Sequence, residues 1–167
     1  MSRRVRAVVM GVSGSGKTTI GERAAARLDA RYVDADSAHP QANIDKMSAC
    51  IPLTDDDRRP WLERLRDALE SSDRIVVTCS ALTDAYRDVL REAGDVTLVY
   101  LEVDEATVGA RVGNRAGHFM KADMVASQFA TLEPPSADER DVVVVDGCLP
   151  IEALVDQVVA HLDPSVG

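Results

Sequence analysis

Residues Gly11 to Thr18 read Gly-Val-Ser-Gly-Ser-Gly-Lys-Thr. No other stretch narrows the possible folds as much. An apolar run, Val5-Arg6-Ala7-Val8-Val9-Met10, precedes it and suits a buried parallel strand. After it, Ile20, Ala24, Ala25 and Leu28 fall on one side of a helix over Thr19–Leu28. Gly11, Gly14 and Gly16 let the backbone between them turn tightly with its N–H groups inward. The helix that follows adds its positive N-terminal end. Strand, loop and helix in this order match the G-x-x-x-x-G-K-[ST] phosphate cradle. In such a cradle Gly11, Val12, Ser13, Gly14, Ser15, Gly16, Lys17, Thr18 and Thr19 surround a nucleotide's phosphates. Lys17 reaches the β- and γ-phosphates, and the Thr18 hydroxyl ligates Mg²⁺.

At 167 residues, 46% of them hydrophobic, the chain suits one domain over residues 1–167. The net charge of −9 argues against a general nucleic-acid binder, and an anionic substrate would need a local basic pocket. Cys50, Cys79 and Cys148 lie far apart with no metal-binding spacing, as expected of reduced thiols in a cytoplasmic protein. No apolar run approaches the ~20 residues that span a bilayer, so no membrane partner is expected.

Apolar strand-like runs alternate with amphipathic helical segments, which predicts an α/β fold with a parallel sheet covered on both faces. The expected strands are 5–10, 31–33, 75–79, 96–101 and 142–145. Helices are expected over 19–28, 40–49, 60–69, 84–93, 105–112, 122–132 and 151–162. In such sheets ligands sit beyond the carboxyl ends of the strands. The phosphate loop, Asp34-Ala35-Asp36 and Cys79-Ser80-Ala81 should therefore share one cleft.

If the chain stays extended there, Asp34 and Asp36 point to opposite sides and have different tasks. One faces the Mg²⁺ shell, and the other orients a substrate hydroxyl and accepts its proton. The competing reading is an Asx turn or a helix cap. His39 alone is more often a surface or capping residue. Asp55-Asp56-Asp57 read as a helix cap, while Arg58 gains nothing from a helix start and suits a ligand or an ion pair. Arg87 is within reach of the cleft, or lies on a solvated helix face beside Asp84 and Asp88. Arg111, Arg115, His118 and Lys121 surround Gly117 and read as a mobile basic lid over about 112–122. Closing it would bring cations to the transferring group.

With these pieces together, the sequence closely resembles the small P-loop gluconokinases, nearly end to end. The resemblance lies in Met10–Thr18, in Asp34-Ala-Asp-Ser-Ala-His-Pro-Gln-Ala-Asn-Ile-Asp-Lys-Met47 and in Pro52-Leu-Thr-Asp-Asp-Asp-Arg-Arg-Pro-Trp-Leu62. It continues through Cys79-Ser-Ala-Leu82, Tyr86–Arg91, Arg115-Ala-Gly-His-Phe-Met120, Ser127-Gln-Phe129 and Leu132-Glu133. It implies ATP- and Mg²⁺-dependent phosphorylation of the 6-hydroxyl of D-gluconate, a shikimate-kinase-like three-layer fold with strand order 2-3-1-4-5, and a homodimer. By carry-over, Lys17 and Thr18 serve phosphate and metal, Asp36 looks like the acceptor-orienting base, and Asp34 like a helper near the metal. His39, Arg58, Arg87 and His118 look like the substrate pocket. Arg111 looks like a nucleotide arginine and Arg115 like a catalytic lid arginine. Three positions depart from the pattern. Ala35 replaces a Gly, Cys50-Ile51 replaces a Gly before the Pro-Leu string, and Thr83 stands where a Lys is common. The rival enzyme is a same-fold kinase of another small acid or polyol such as shikimate. A GTPase-type switch would carry N-K-x-D and D-x-x-G, and neither is present.

Overall fold

The computed structural model describes residues 3–12, 14–113 and 126–166. Strands β1 (Val5–Met10), β2 (Arg31–Asp34), β3 (Arg74–Cys79), β4 (Thr97–Glu102) and β5 (Val142–Asp146) form one sheet in the order β2-β3-β1-β4-β5. Every neighbouring pair is parallel, with Val8 opposite both Val77 and Leu98. The helices are α1 (Lys17–Arg27), α2 (Gln41–Ser48), α3 (Asp55–Glu70), α4 (Asp84–Arg91) and α5 (Glu105–Gly113), helical residues 126–131 (α6), and α7 (Ile151–Leu162). A 3₁₀ turn over Ala35–Ala38 follows β2. Among the described residues no helix is long and apolar enough to cross a membrane, and Cys50, Cys79 and Cys148 are free thiols.

The central strands alternate strictly between two cores, because successive side chains leave opposite faces of a strand. Ala7 and Val9 of β1 meet Ile20 and Ala24 of α1, Leu28 just after it, and Leu154 and Val158 of α7. Val8 and Met10 meet Trp61, Leu62, Leu65 and Leu69 of α3 and Leu90 of α4. A third cluster, Val12, Leu82, Val103 and Val108 with Phe129 and Leu132 against it, ties α6 to the region of the phosphate loop.

Two local readings change. Helix α3 begins at Asp55, five residues before the expected start, and Pro60 lies inside it. A capping box explains the early start: Asp57 N donates to Thr54 Oγ1 at 3.1 Å, and Thr54 N donates to Asp57 Oδ2 at 2.9 Å. The three aspartates of the first turn complement the helix dipole, so Pro60 costs one backbone bond without ending the helix. Beyond Asp34 the chain is not extended. It turns at once into the 3₁₀ helix.

Cys50 occupies the position after α2 that favours glycine, with φ 58°. Ile51 N donates to Lys46 O at 2.8 Å and Cys50 N to Met47 O at 3.1 Å, the bond pair of a Schellman cap. A Cβ in this left-handed conformation is strained. Cys50→Gly is therefore expected to raise Tm by roughly 2–4 °C, about 1 kcal/mol for a chain of this size. Thermal unfolding of the two proteins checks this.

Candidate active site

The site lies at the carboxyl edge of the sheet, where three strands end side by side. Met10 of β1 is in register with Cys79 of β3, and Asp34 of β2 with Thr78. The phosphate loop, the Asp34–Asp36 turn and the Cys79–Leu82 segment therefore leave the sheet together, as the topology argument expects.

In the loop, Gly16 has φ 92° and Gly14 has φ 84°, which strain any side chain. Gly11 is needed for space, since a Cβ there would lie 2.8 Å from Ser15 Oγ. Ser15 N donates to Val12 O at 3.1 Å and closes the turn. Ser15 is fully buried, and its hydroxyl has no hydrogen-bond partner among the described residues. A loop that stores an unpaired hydroxyl and left-handed glycines at a helix N-terminus fits an anion that can use its donors. Ser13 lies outside the described residues.

Lys17 opens α1, with its ammonium 3.5 Å from Val12 O. Burial pulls its pKa below the ordinary lysine value, and Asp36, Cys79 and Asp34 oppose that shift. Cation and carboxylates thus share one small volume beside the loop. Thr18 and Asp36 are exposed at this edge. Asp34 is half-buried and caps the 3₁₀ turn, its Oδ1 accepting from Asp36 N at 2.9 Å. The Asx-turn reading of Asp34 is therefore realised, and the separation of Asp34 and Asp36 by strand alternation is not. Among the described residues no group of three or more His, Cys, Asp or Glu side chains could cage a metal. Thr18 and Asp34 suit a hard cation held mainly through phosphate and water, the habit of Mg²⁺.

Beyond Asp36 stands a wall built on α3. Trp61 is buried, and its indole N–H donates to Ala35 O at 2.7 Å. The same ring stacks on His39 with centroids 4.5 Å apart and planes 9° from parallel. Trp61 thus locates both the Asp34–Asp36 turn and His39. Arg58 Nη1 donates to Tyr86 Oη at 3.0 Å, and Tyr86 Oη donates to Asp55 Oδ1 at 2.7 Å. Lys46 bonds both oxygens of Asp57 at 2.9 and 2.8 Å, and hydrogen bonds from Lys46 and Thr54 hold that carboxyl at a pKa of about 2. These contacts gather into one cluster the residues of the Asp34–Met47 and Pro52–Leu62 strings.

On the other side of the loop is a cavity of about 380 Å³ lined by Gly14, Gly16, Thr19, Arg111, Leu149 and Leu154, among others. Arg111 donates to Gly147 O at 3.0 Å and Ser15 O at 3.5 Å. It clamps the Asp146–Leu149 turn against the phosphate loop.

The shikimate kinase family model matches residues 13–163. The thermosensitive gluconokinase of Escherichia coli K12 is 50% identical over 144 residues, covering 83% of this chain and 77% of its own. This chain belongs to the gluconokinase family. The thermoresistant gluconokinase of the same organism is 45% identical over 153 residues (89% of this chain, 87% of its own). The crystal structure of a gluconokinase from Sinorhizobium meliloti superimposes with a TM-score of 0.86 at 42% identity, covering 98% of this chain and 95% of that one.

Against the gluconokinase pattern, the three departures each have a local structural task. Ala35 is buried under Trp61 in the α3-side core. Cys50 caps α2. Thr83 caps α4, its Oγ1 accepting from Tyr86 N at 3.2 Å.

Among the described residues, Arg87 is the candidate that the fold places differently from both sequence readings. It is 1% exposed, neither open to the cleft nor on a solvated helix face. Its Nε and Nη2 donate to Glu139 at 2.8 and 3.2 Å, and its Nη1 donates to Ala81 O at 3.2 Å. Arg91, not Arg87, pairs with Asp84 and Asp88. Arg87 therefore holds the Cys79–Leu82 turn, where Ala81 has φ 42°. Cys79 below it is an inert thiol, pushed up to about 12 by burial. Arg115 and His118, with most of the expected lid over 112–122, lie outside the described residues. Sequence reasoning missed the roles of Trp61, Tyr86 and Glu139. Only the Asp-Arg-x-Pro-Trp-Leu string carried a signal for the first, and nothing marked Glu139.

Proposed function

We propose that this gluconokinase-family chain transfers the γ-phosphoryl group of ATP to the 6-hydroxyl of D-gluconate, giving 6-phospho-D-gluconate. The observation that carries the reading is the meeting of Lys17 and Asp36 between the phosphate loop and the Trp61–His39–Arg58 wall. Bound ATP with Mg²⁺ supplies the phosphoryl group and the metal charge that offsets its oxygens. The loop backbone and Lys17 would hold the phosphates, Arg111 with the cavity it lines would take the rest of the nucleotide, and Thr18 and Asp34 would attend the cation. Asp36 orients the acceptor hydroxyl and takes its proton as the new P–O bond forms. His39 and Arg58 hold the rest of the polyol acid, with the arginine matched to an anionic acceptor. The relatives support gluconate over shikimate as that acceptor. The family resemblance also supports a cytoplasmic homodimer, which light scattering checks.

Coupled measurement of ADP release across gluconate, shikimate and other sugar acids is the direct test. Turnover is expected on gluconate and not on shikimate. Silence on gluconate with clear turnover on another acid overturns the acceptor assignment.

A further inference from the structure

His39 follows the 3₁₀ turn, and its Nδ1 lies 3.2 Å from Asn43 Nδ2. The same amide nitrogen donates to Asp57 O at 2.8 Å. A backbone carbonyl only accepts, so the Asn43 atom facing it is the nitrogen, which settles how the amide is turned. That nitrogen offers two N–H groups and no lone pair. His39 Nδ1 is then the acceptor of the second N–H, and the ring proton sits on Nε2. Asn43 is 3% exposed. Turning its amide over would set its oxygen against Asp57 O, which cannot donate, and lose that bond. The stack on Trp61 holds the ring plane in place.

We infer that Asn43 is a positioning residue that locks His39 as the neutral Nε2–H tautomer, making it a hydrogen-bond donor to an acceptor oxygen rather than a base or a cation. The identity of that oxygen, a hydroxyl or carboxylate of the sugar acid, rests on the gluconokinase reading; the tautomer does not. Among the described residues the charged groups that act on the ring are Asp36 on the 3₁₀ turn and Arg58 on α3; Arg64 of α3 holds the neighbouring Ala38 O, and the Lys46–Asp57 pair lies behind Asn43. Burial lowers the imidazole pKa, Asp36 raises it and Arg58 lowers it, with a net fall. The neutral form is therefore kept below the usual imidazole range, and Asn43 selects between its two tautomers.

The lock has a chemical consequence. Proton acceptance from the substrate is then left to Asp36, while His39 donates to an acceptor oxygen. Losing that donor should weaken binding of the acid and leave the nucleotide alone.

The test combines nitrogen NMR of isotope-labelled histidines with steady-state kinetics. In the wild-type protein the His39 signal, assigned by its loss in His39→Gln, is expected to show an Nε2-protonated neutral ring at neutral pH. Asn43→Asp replaces the donor with an acceptor, so the ring should move its proton to Nδ1 and gain basicity. KM for gluconate should then rise about tenfold, the worth of one hydrogen bond to a buried partner, with KM for ATP unchanged. A new ionisation should appear in kcat/KM for gluconate. A second pair of variants guards against misfolding of Asn43→Asp. The amide nitrogen of Gln stands near Nε2 and that of Asn near Nδ1, so His39→Gln should keep a lower KM for gluconate than His39→Asn. A wild-type ring protonated at Nδ1, a wild-type imidazolium at neutral pH, or His39→Asn outperforming His39→Gln overturns the lock. Wild-type protein that shows the Nε2–H signature but no turnover of gluconate overturns the acceptor reading alone.

Discussion

Asp36→Asn is expected to lower kcat for gluconate by about 10²–10⁴-fold, the usual contribution of a positioned general base, while ATP binding survives. The substitution is nearly isosteric, and the turn does not depend on the Asp36 side chain. The bond that shapes the turn runs from Asp36 N to Asp34 Oδ1 at 2.9 Å, and Trp61 holds Ala35 O independently. An amide in place of the carboxylate can still orient a hydroxyl but cannot take its proton. The change also removes the carboxylate that does most to raise the Lys17 pKa against burial. Lys17 should then lose its proton at lower pH, and the alkaline limb of the rate profile should shift down. Single-turnover rates, ATP titration and a pH profile measure all three. A variant with near-normal kcat would remove Asp36 from the mechanism.

Glu139→Ala is expected to cost about 3–5 kcal/mol of stability, because it leaves a buried arginine charge unpaired. Glu139 takes two bonds from Arg87 and one from Arg91 at 2.6 Å, and accepts Ser136 N at 2.7 Å. Burial alone would raise its pKa; Arg87, Arg91 and Ser136 N more than offset that and hold it at about 2. A carboxyl depressed in the folded state stabilises the protein fully above its unfolded pKa. That contribution is lost as pH falls from about 4.5 towards about 2. Urea unfolding as a function of pH should show the fall in wild type, and Glu139→Gln should remove this residue's share of it. Replacing Arg87 and Glu139 together by apolar residues should recover much of the loss, since no charge is then stranded. Equal destabilisation in the single and double variants would show that the pair is not the cause. Arg87 also holds Ala81 O, so Glu139→Ala should loosen the Cys79–Leu82 turn beside the site.

Much of the architecture was legible in the chain. Runs such as Val5–Met10 and Ile75–Cys79 are buried on both faces, and that continuous apolarity is itself the mark of a central parallel strand. The span of α7 matched its expected limits because Ile151 to Leu162 carries a clear apolar stripe after Pro150. Helix α3 was misjudged because Pro60 resembles a helix start, while the true start depends on a reciprocal bond pair between Thr54 and Asp57. The exposed pair Ile44 and Met47 shows the same limit: helical spacing is visible in the residues, but the face that is covered is not.

By itself the sequence determined the phosphate loop, the alternation of strands and helices, and the strings that mark a gluconokinase. These depend on neighbours within a few residues, where turn chemistry and periodicity act. Only the tertiary structure decided what the polar side chains do. Asp34 became a cap because β2 ends there. Arg87 was taken into the core by Glu139, 52 residues away. His39 took its proton state from Asn43 and its plane from Trp61. A charged or titratable group answers to whatever the folded chain brings within a few ångströms of it. For Arg87 and for the plane of the His39 ring the partners come from distant elements, so no local pattern names them; Asp34 and Asn43 act within four residues, where an Asx turn or a cap can be read from the chain.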